Sequence, residues 1–141
     1  MIEFRVSNLR ADRSTLTTPA DVFVGISADL EILVDDVPIG SEPDFPVAEL
    51  AAELVAWLDT GFVDGTDFEF DSMSTPEPGW VWLRRGDSPG WRVGGLHQSR
   101  ADLLSSQPNE VRTAVVRLVR DVKDAATSNL GVDLTPFLGK I

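Results

Sequence analysis

His97 is the only histidine in the 141 residues, so any imidazole chemistry has to use it. One imidazole cannot form a metal site of several histidines, and no H-E-x-x-H motif is present. A Ser-His-Asp arrangement would have to centre on His97, yet no serine stands in a G-x-S-x-G motif. A lone histidine after Gly94-Gly95 is more typical of a structural position. We therefore predict no catalytic residue, and a small hydrolase that uses His97 is the least favoured function.

Carboxylates are dense between Asp64 and Asp71, and their oxygens are the ligands that hard cations prefer. The spacing of an EF-hand loop is absent, and the alternation of Asp67, Glu69 and Asp71 equally fits a solvent-exposed strand face. A carboxylate pair for glycoside hydrolysis is expected by chance among 23 acidic residues. Residues 92–95 lack the pattern of a phosphate-binding loop, and the chain has no cysteine. The sequence thus predicts no metal site and no cofactor.

Tryptophan and arginine recur just after these acids, and both residue types dominate the hot spots of protein interfaces. Two apolar runs carry them, at residues 80–85 and 91–96, and a third run at residues 67–73 alternates strictly between acidic and apolar side chains. The pieces between the runs are rich in proline and glycine, which favour turns. We predict a three-stranded antiparallel meander from Asp67 to His97.

Symmetric folding of both turns predicts the register of this meander. The paired positions are then Glu69 with Arg84, Arg84 with Arg92, Phe70 with Leu83, and Leu83 with Val93. A core face would carry the apolar residues Phe68, Phe70, Val81, Leu83, Trp91 and Val93. The opposite face would carry the charged residues and two indoles: Asp67, Glu69, Asp71, Trp80, Trp82, Arg84 and Arg92. This second face is either a cross-strand ladder of ion pairs with a helix over the tryptophans, or a recognition surface.

Hydrophobic periodicity predicts the remaining elements. Alternation indicates strands at residues 2–9, 21–34 and 37–39, the last at a sheet edge because Pro38 cannot donate to a ladder. The segment from Gly40 to Phe45 is predicted to be an acidic connector. A period of 3.6 indicates helices at residues 46–60 and 109–129, and the apolar residues of the tail 132–141 are predicted to dock on the core. The order β-β-β-α-β-β-β-α predicts one α+β domain over residues 1–141, with a mostly antiparallel sheet of about six strands and two helices packed on it.

The net charge is −11, and its distribution along the chain is uneven. No lysine or arginine occurs between Arg13 and Arg84, and this segment holds 15 of the 23 acidic residues. A field of this sign repels nucleic acid and anionic membranes, and it speeds the encounter with a basic protein. The alternative is that the acids only keep the protein soluble. We predict a basic protein partner or self-association, with no nucleic acid and no membrane as partner.

No apolar run approaches the roughly 20 residues that span a bilayer. Met1 is followed by the alternating sequence IEFR, not by the basic and then apolar regions of a signal peptide. The sequence therefore predicts a cytoplasmic protein.

The runs FPVAELAAELVAWL, DFEFDSM, EPGWVWLRR and WRVGGLHQ resemble an uncharacterised family of small acidic actinobacterial proteins. The resemblance covers residues 21–130 and implies no catalytic residue, since no activity is established for that family. In size, acidity and α+β plan, the chain also resembles the immunity proteins of bacterial toxin systems.

The leading hypothesis is a non-enzymatic acidic protein-binding module of the immunity or inhibitor type. It would engage a basic protein, such as a toxin domain, through the acidic region 29–77 and the Trp80/Trp82 face. The predicted partner-binding residues are Glu49, Glu53, Asp59, Asp67, Glu69, Asp71, Trp80, Trp82, Arg84 and Arg92. The alternative is a self-associating structural or housekeeping domain, in which exposed tryptophans would form a homodimer contact.

Overall fold

A computed structural model describes residues 2–11, 25–70, 81–85, 90–95 and 106–139 of the chain. The strands in these residues are β1 (Ile2–Ala11), β2 (Ile26–Val34), β3 (Val37–Phe45), β4 (Phe68–Glu69), β5 (Val81–Arg85) and β6 (Trp91–Gly95). The helices are α1 (Val47–Asp59), α2 (Gly61–Asp64), α3 (Pro108–Leu130) and α4 (Thr135–Leu138). The α+β class is confirmed, and the ends of both long helices lie within one residue of the predicted bounds.

Two separate antiparallel sheets, β1-β2-β3 and β4-β5-β6, take the place of the single sheet of about six strands. The prediction of one sheet is wrong, and the sequence of β3 gives a physical reason. Pro38 and Pro43 have no N–H group, so the free edge of β3 is a poor template for another strand. The second sheet instead packs through side chains, and the rings of Phe45 and Phe70 lie 5.4 Å apart between centroids.

β3 also runs through the segment that was predicted to be an acidic connector, so that prediction is wrong as well. Both prolines of β3 are exposed at the edge, where the missing N–H group is not needed for pairing with β2. Two irregularities in the β2–β3 register and a positive φ of 55° at Asp44 bend the strand. Asp35 and Asp36 form the tight turn between β2 and β3, with φ values of 50° and 66° that suit a two-residue hairpin turn.

The core lies between the first sheet and the two long helices. The buried residues of α1 and α3 are Val47, Ala48, Leu50, Ala51, Leu54, Trp57, Leu58, Val111, Ala114, Val115, Leu118, Val119, Val122 and Ala126. α3 begins with a capping box between Gln107 and Glu110, and it ends at Gly131 with a φ of 66°. Leu134 and Leu138 are buried too, which confirms that the tail docks on the core.

An aromatic cluster joins the second sheet and α2 to the end of α1. Trp57 is its centre, with centroid distances of 5.4 Å to Phe62, 5.8 Å to Phe68 and 5.0 Å to Trp91. The Trp57 indole Nε1 donates a hydrogen bond of 2.8 Å to the backbone oxygen of Thr66. This packing of α1, α2, β4 and β6 fixes the position of the segment between α1 and β4, which carries several exposed acids.

The close packing of α2 against Trp57 depends on the absence of a side chain at Gly61. A Cβ atom there would lie 2.4 Å from Trp57 Cδ1, well inside van der Waals contact. Gly61 therefore lets α2 fold tightly against the indole, which a larger residue would push away.

Candidate functional site

The second sheet brings together four of the predicted partner-binding residues, Glu69, Trp82, Arg84 and Arg92. All four lie on its outer face, since the inner face carries the buried residues Phe68, Phe70, Val81, Leu83, Trp91 and Val93. The predicted division of the meander into two faces is thus confirmed for the described residues. Asp71, Trp80 and His97 lie outside them.

Only one of the two strand pairings in the second sheet has the predicted register. β5 and β6 pair as expected, with Arg84 opposite Arg92. β4 is displaced by two residues, so Glu69 lies opposite Trp82 instead of Arg84. A slip of two residues leaves every side chain on its predicted face, because side chains alternate with period 2. Among the described residues Glu69 forms no ion pair with either arginine, so the Glu69–Arg84 pair of the ladder alternative does not form.

Trp82 lies against the neighbouring strand at the position of Gly94, its partner in the β5–β6 register. A Cβ atom on Gly94 would fall 2.1 Å from Trp82 Cζ2, so the indole occupies the space that a side chain would need. The Arg84 guanidinium lies 4.3 Å from the centroid of the Trp82 ring, within the range of a cation–π contact. Trp82 is therefore half-buried by its own sheet and by Arg84.

Two arginines of β1 neutralise part of the acidic segment. Arg5 pairs with Glu31 at 3.3 Å and with Glu3 at 3.1 Å, on the outer face of the first sheet. Arg10 pairs with Asp29 at 3.2 Å and also with Asp44. The segment between Arg13 and Arg84 contains no lysine or arginine, and arginines of β1, which precedes it in the chain, thus pair with several of its acids.

The contacts of Asp29 predict the pH dependence of this side of the molecule. Hydrogen bonds from Asn8 and Arg10 lower the pKa of Asp29 below its ordinary value. A lowered pKa favours the folded state above the ordinary value of about 4, and this contribution is lost as the pH falls through the folded-state pKa. Asn8→Gly keeps the positive φ of 55° and removes the amide donor, so it should raise the pKa of Asp29. Carboxyl NMR titration measures this pKa directly.

Asp133 is the internal control in the same titration. Hydrogen bonds from Thr135 lower its pKa, and Asn8 is not involved. Asn8→Gly should leave the titration of Asp133 unchanged. An ordinary pKa for Asp29 in the unmodified protein would contradict the hydrogen-bond geometry.

The acids between α1 and β4 differ from those beside β1. Asp59, Asp64, Asp67 and Glu69 are exposed and lie within eleven consecutive residues. None of the four forms an ion pair with another residue in the described part of the chain. Val63, which is 71% exposed, stands among them on α2. We call these five residues the acidic surface.

Glu49 and Glu53 do not belong to the acidic surface. They lie on α1, are half-buried, and already interact within the chain. Of the three helix acids that the sequence singled out, Asp59 is the exposed one. The structure therefore concentrates the candidate binding residues at the end of α1, on α2 and on the second sheet.

Val63 is a candidate binding residue that the sequence patterns did not predict. The sequence feature that could have identified Val63 is its position, two residues after Gly61 and beyond the apolar stripe of α1. An apolar side chain at this position does not belong to the buried face of α1, and Asp64 follows it directly.

The basic residues of α3 do not pair with the acids of the described chain. Arg112 lies 5.3 Å from the centroid of the Phe62 ring, and Lys123 donates a hydrogen bond of 2.5 Å to the backbone oxygen of Gly139. In the described chain, the basic side chains that pair with the acidic segment are therefore those of β1 and not those of α3.

Within the described ranges, no group of three or more histidine, aspartate or glutamate residues is arranged to hold a metal ion. In the same ranges, no helix has the length and apolarity to cross a membrane.

Comparison with known proteins places the chain in a family. A family model described as "Domain of unknown function (DUF7878)" matches residues 2–127, which include both sheets, α1, α2 and most of α3. No curated protein and no solved structure matches the chain. The resemblance to an uncharacterised family is thus confirmed, and the matched range begins earlier than predicted. The chain belongs to the DUF7878 family of unknown function.

Proposed function

We propose that this protein is a non-enzymatic protein-binding module that engages a basic partner protein through the acidic surface. One observation carries the proposal. Four exposed carboxylates without an ion-pair partner in the described chain lie within eleven consecutive residues that also contain an exposed apolar side chain, Val63.

The electrostatics of the acidic surface support this proposal. Fixed carboxylates raise the local concentration of a positively charged partner and increase its association rate. The acids near β1 are less suited to this role, because Arg5 and Arg10 already neutralise several of them. The acidic surface is therefore less neutralised by ion pairs than the acids that Arg5 and Arg10 contact.

Packing supports the proposal in a second way. Protein interfaces combine an apolar centre with a polar rim, and the acidic surface contains both kinds of side chain, because Val63 is exposed in the same segment as the acids. On the adjoining sheet, Trp82 and Arg84 add residue types that are enriched in hot spots. A basic toxin domain is a partner of this chemistry, and the protein would then act as its immunity or inhibitor protein.

Affinity capture from the native host's lysate tests the proposal with two matched double variants. Asp59→Lys/Asp64→Lys reverses charge on the acidic surface, whereas Glu42→Lys/Asp124→Lys makes the same change in net charge elsewhere. We expect the unmodified bait and the control to retain a basic protein that salt releases, and the surface variant to lose it. Equal capture by all three baits would show that the acidic surface is not the binding site.

A further inference from the structure

We propose that the free edge of β1 pairs with β1 of a second copy of the chain, so that the first sheet continues across a two-fold axis. In the described sheet, β1 pairs with β2 alone, so every second residue of the regular stretch Ile2–Ser7 directs its backbone N–H and C=O groups toward the free edge. Farther along β1, Asn129 of α3 donates a hydrogen bond to the Leu9 backbone oxygen. This interface is separate from the acidic surface and does not depend on the proposed basic partner.

The two edges of the first sheet differ in how well they are protected. Proteins guard edge strands with prolines and bulges, and β3 has Pro38, Pro43 and two register irregularities. β1 pairs regularly with β2 from Ile2 to Ser7 and contains no proline in that stretch. The stretch Ile2–Ser7 is therefore a regular edge of the kind that accepts another strand, and α3 packs beside it.

A groove follows this edge. Its volume is about 350 Å³, and it is lined by residues 2–6 of β1 and by Thr113, Ala114, Arg117 and Asp121 of α3. The lining includes five consecutive strand residues, whose side chains alternate between faces. The groove therefore runs along the edge of β1 and not over one face of the sheet, which is where a paired strand would lie.

Charge selects the register of such a pairing. With the two-fold axis at Phe4, Ile2 lies opposite Val6 of the second copy, and Glu3 lies opposite Arg5 in both directions. Shifting the axis to Glu3 or to Arg5 would place like charges directly opposite each other, which destabilises a sheet. Glu3 and Arg5 pair with each other along β1, and 40% and 54% of their side-chain surface stays accessible, so each can also contact the opposite charge of the second copy.

Charge also favours a second copy over another occupant. The four charged residues that line the groove are Glu3, Arg5, Arg117 and Asp121, so their charges cancel. A basic partner gains little from a neutral groove, whereas the acidic surface attracts it. Two chains that each carry a net charge of −11 repel one another, so they approach most easily where the local charge is zero.

Charge reversal with sedimentation equilibrium tests this interface. The unmodified chain should form a dimer of twice 15.4 kDa as its concentration rises. Glu3→Arg and Arg5→Glu should each weaken the dimer by about tenfold or more, because two attractive pairs become repulsive. An equimolar mixture of the two variants should regain the dimer, since both cross-strand pairs between one variant and the other again join a basic side chain to an acidic one.

Asp64→Arg is the control on the acidic surface and should leave the dimer intact, and circular dichroism confirms that each variant is folded. A monomer at every soluble concentration would overturn the proposal. A dimer that survives both single reversals, or one that the mixture fails to restore, would show that another surface associates. Each of these outcomes leaves the proposed basic partner untouched.

Discussion

Replacing Trp57 with alanine is expected to lower the free energy of unfolding by about 3–5 kcal/mol, the usual cost of removing a large buried aromatic side chain. Trp57 is only 7% exposed and contacts Phe62, Phe68 and Trp91. Its removal leaves a cavity where α1, α2 and the second sheet meet. Denaturant unfolding followed by far-ultraviolet circular dichroism measures the loss.

Two further variants separate the causes of this effect. Trp57→Phe keeps an aromatic ring but removes the donor to the Thr66 backbone oxygen, so a loss of about 1 kcal/mol is expected. Val63→Ala removes an exposed side chain and should change stability by less than about 0.5 kcal/mol. A loss below about 1 kcal/mol for Trp57→Ala would mean that the aromatic cluster does not hold the second sheet in place.

Gly94→Val is expected to destabilise the protein by about 1–3 kcal/mol, although valine is normally favoured in strands. The new Cβ atom would lie 2.1 Å from Trp82 Cζ2, so the indole has to leave the strand surface. The displaced ring loses its contact with Arg84 and enters water. We expect a red shift of tryptophan fluorescence together with the loss of stability.

A double-mutant cycle with Trp82→Ala isolates this contact. In the Trp82→Ala background the space beside Gly94 is open, so Gly94→Val should cost little or should stabilise the strand. Equal costs of Gly94→Val in both backgrounds would show that the clash lies elsewhere. Since Trp82 and Arg84 adjoin Glu69, the cycle also tests how the outer face of the second sheet is organised.

Sequence patterns predicted the local elements well because their physical causes are local. The 3.6-residue stripes of α1 and α3 and the alternation in β1, β2 and the meander depend only on which face is buried. The faces of the meander were correct despite the wrong β4 register. A displacement of two residues preserves the alternation, whereas the register depends on the conformation of the connection between β4 and β5.

Long-range features were not predictable in the same way. Whether β4-β5-β6 joins the first sheet depends on the free edge of β3, and the chain was expected to leave that strand after Ile39. Arg10 lies far in sequence from Asp29 and Asp44, yet it pairs with both because β1, β2 and β3 are adjacent. The exposure of Val63 likewise results from the packing of α2 against Trp57, which no local pattern encodes.

The most direct measurement of the central claim is the association rate constant between the protein and its captured partner, at low and at high salt. Asp59→Lys/Asp64→Lys and Glu42→Lys/Asp124→Lys change the net charge of −11 by the same amount, so they differ only in the place of the change. Binding through the acidic surface predicts that the first variant slows association by about tenfold at low salt, that the second has little effect, and that high salt removes the difference. Equal slowing by both variants would mean that total charge drives association, which would contradict a binding role for the acidic surface.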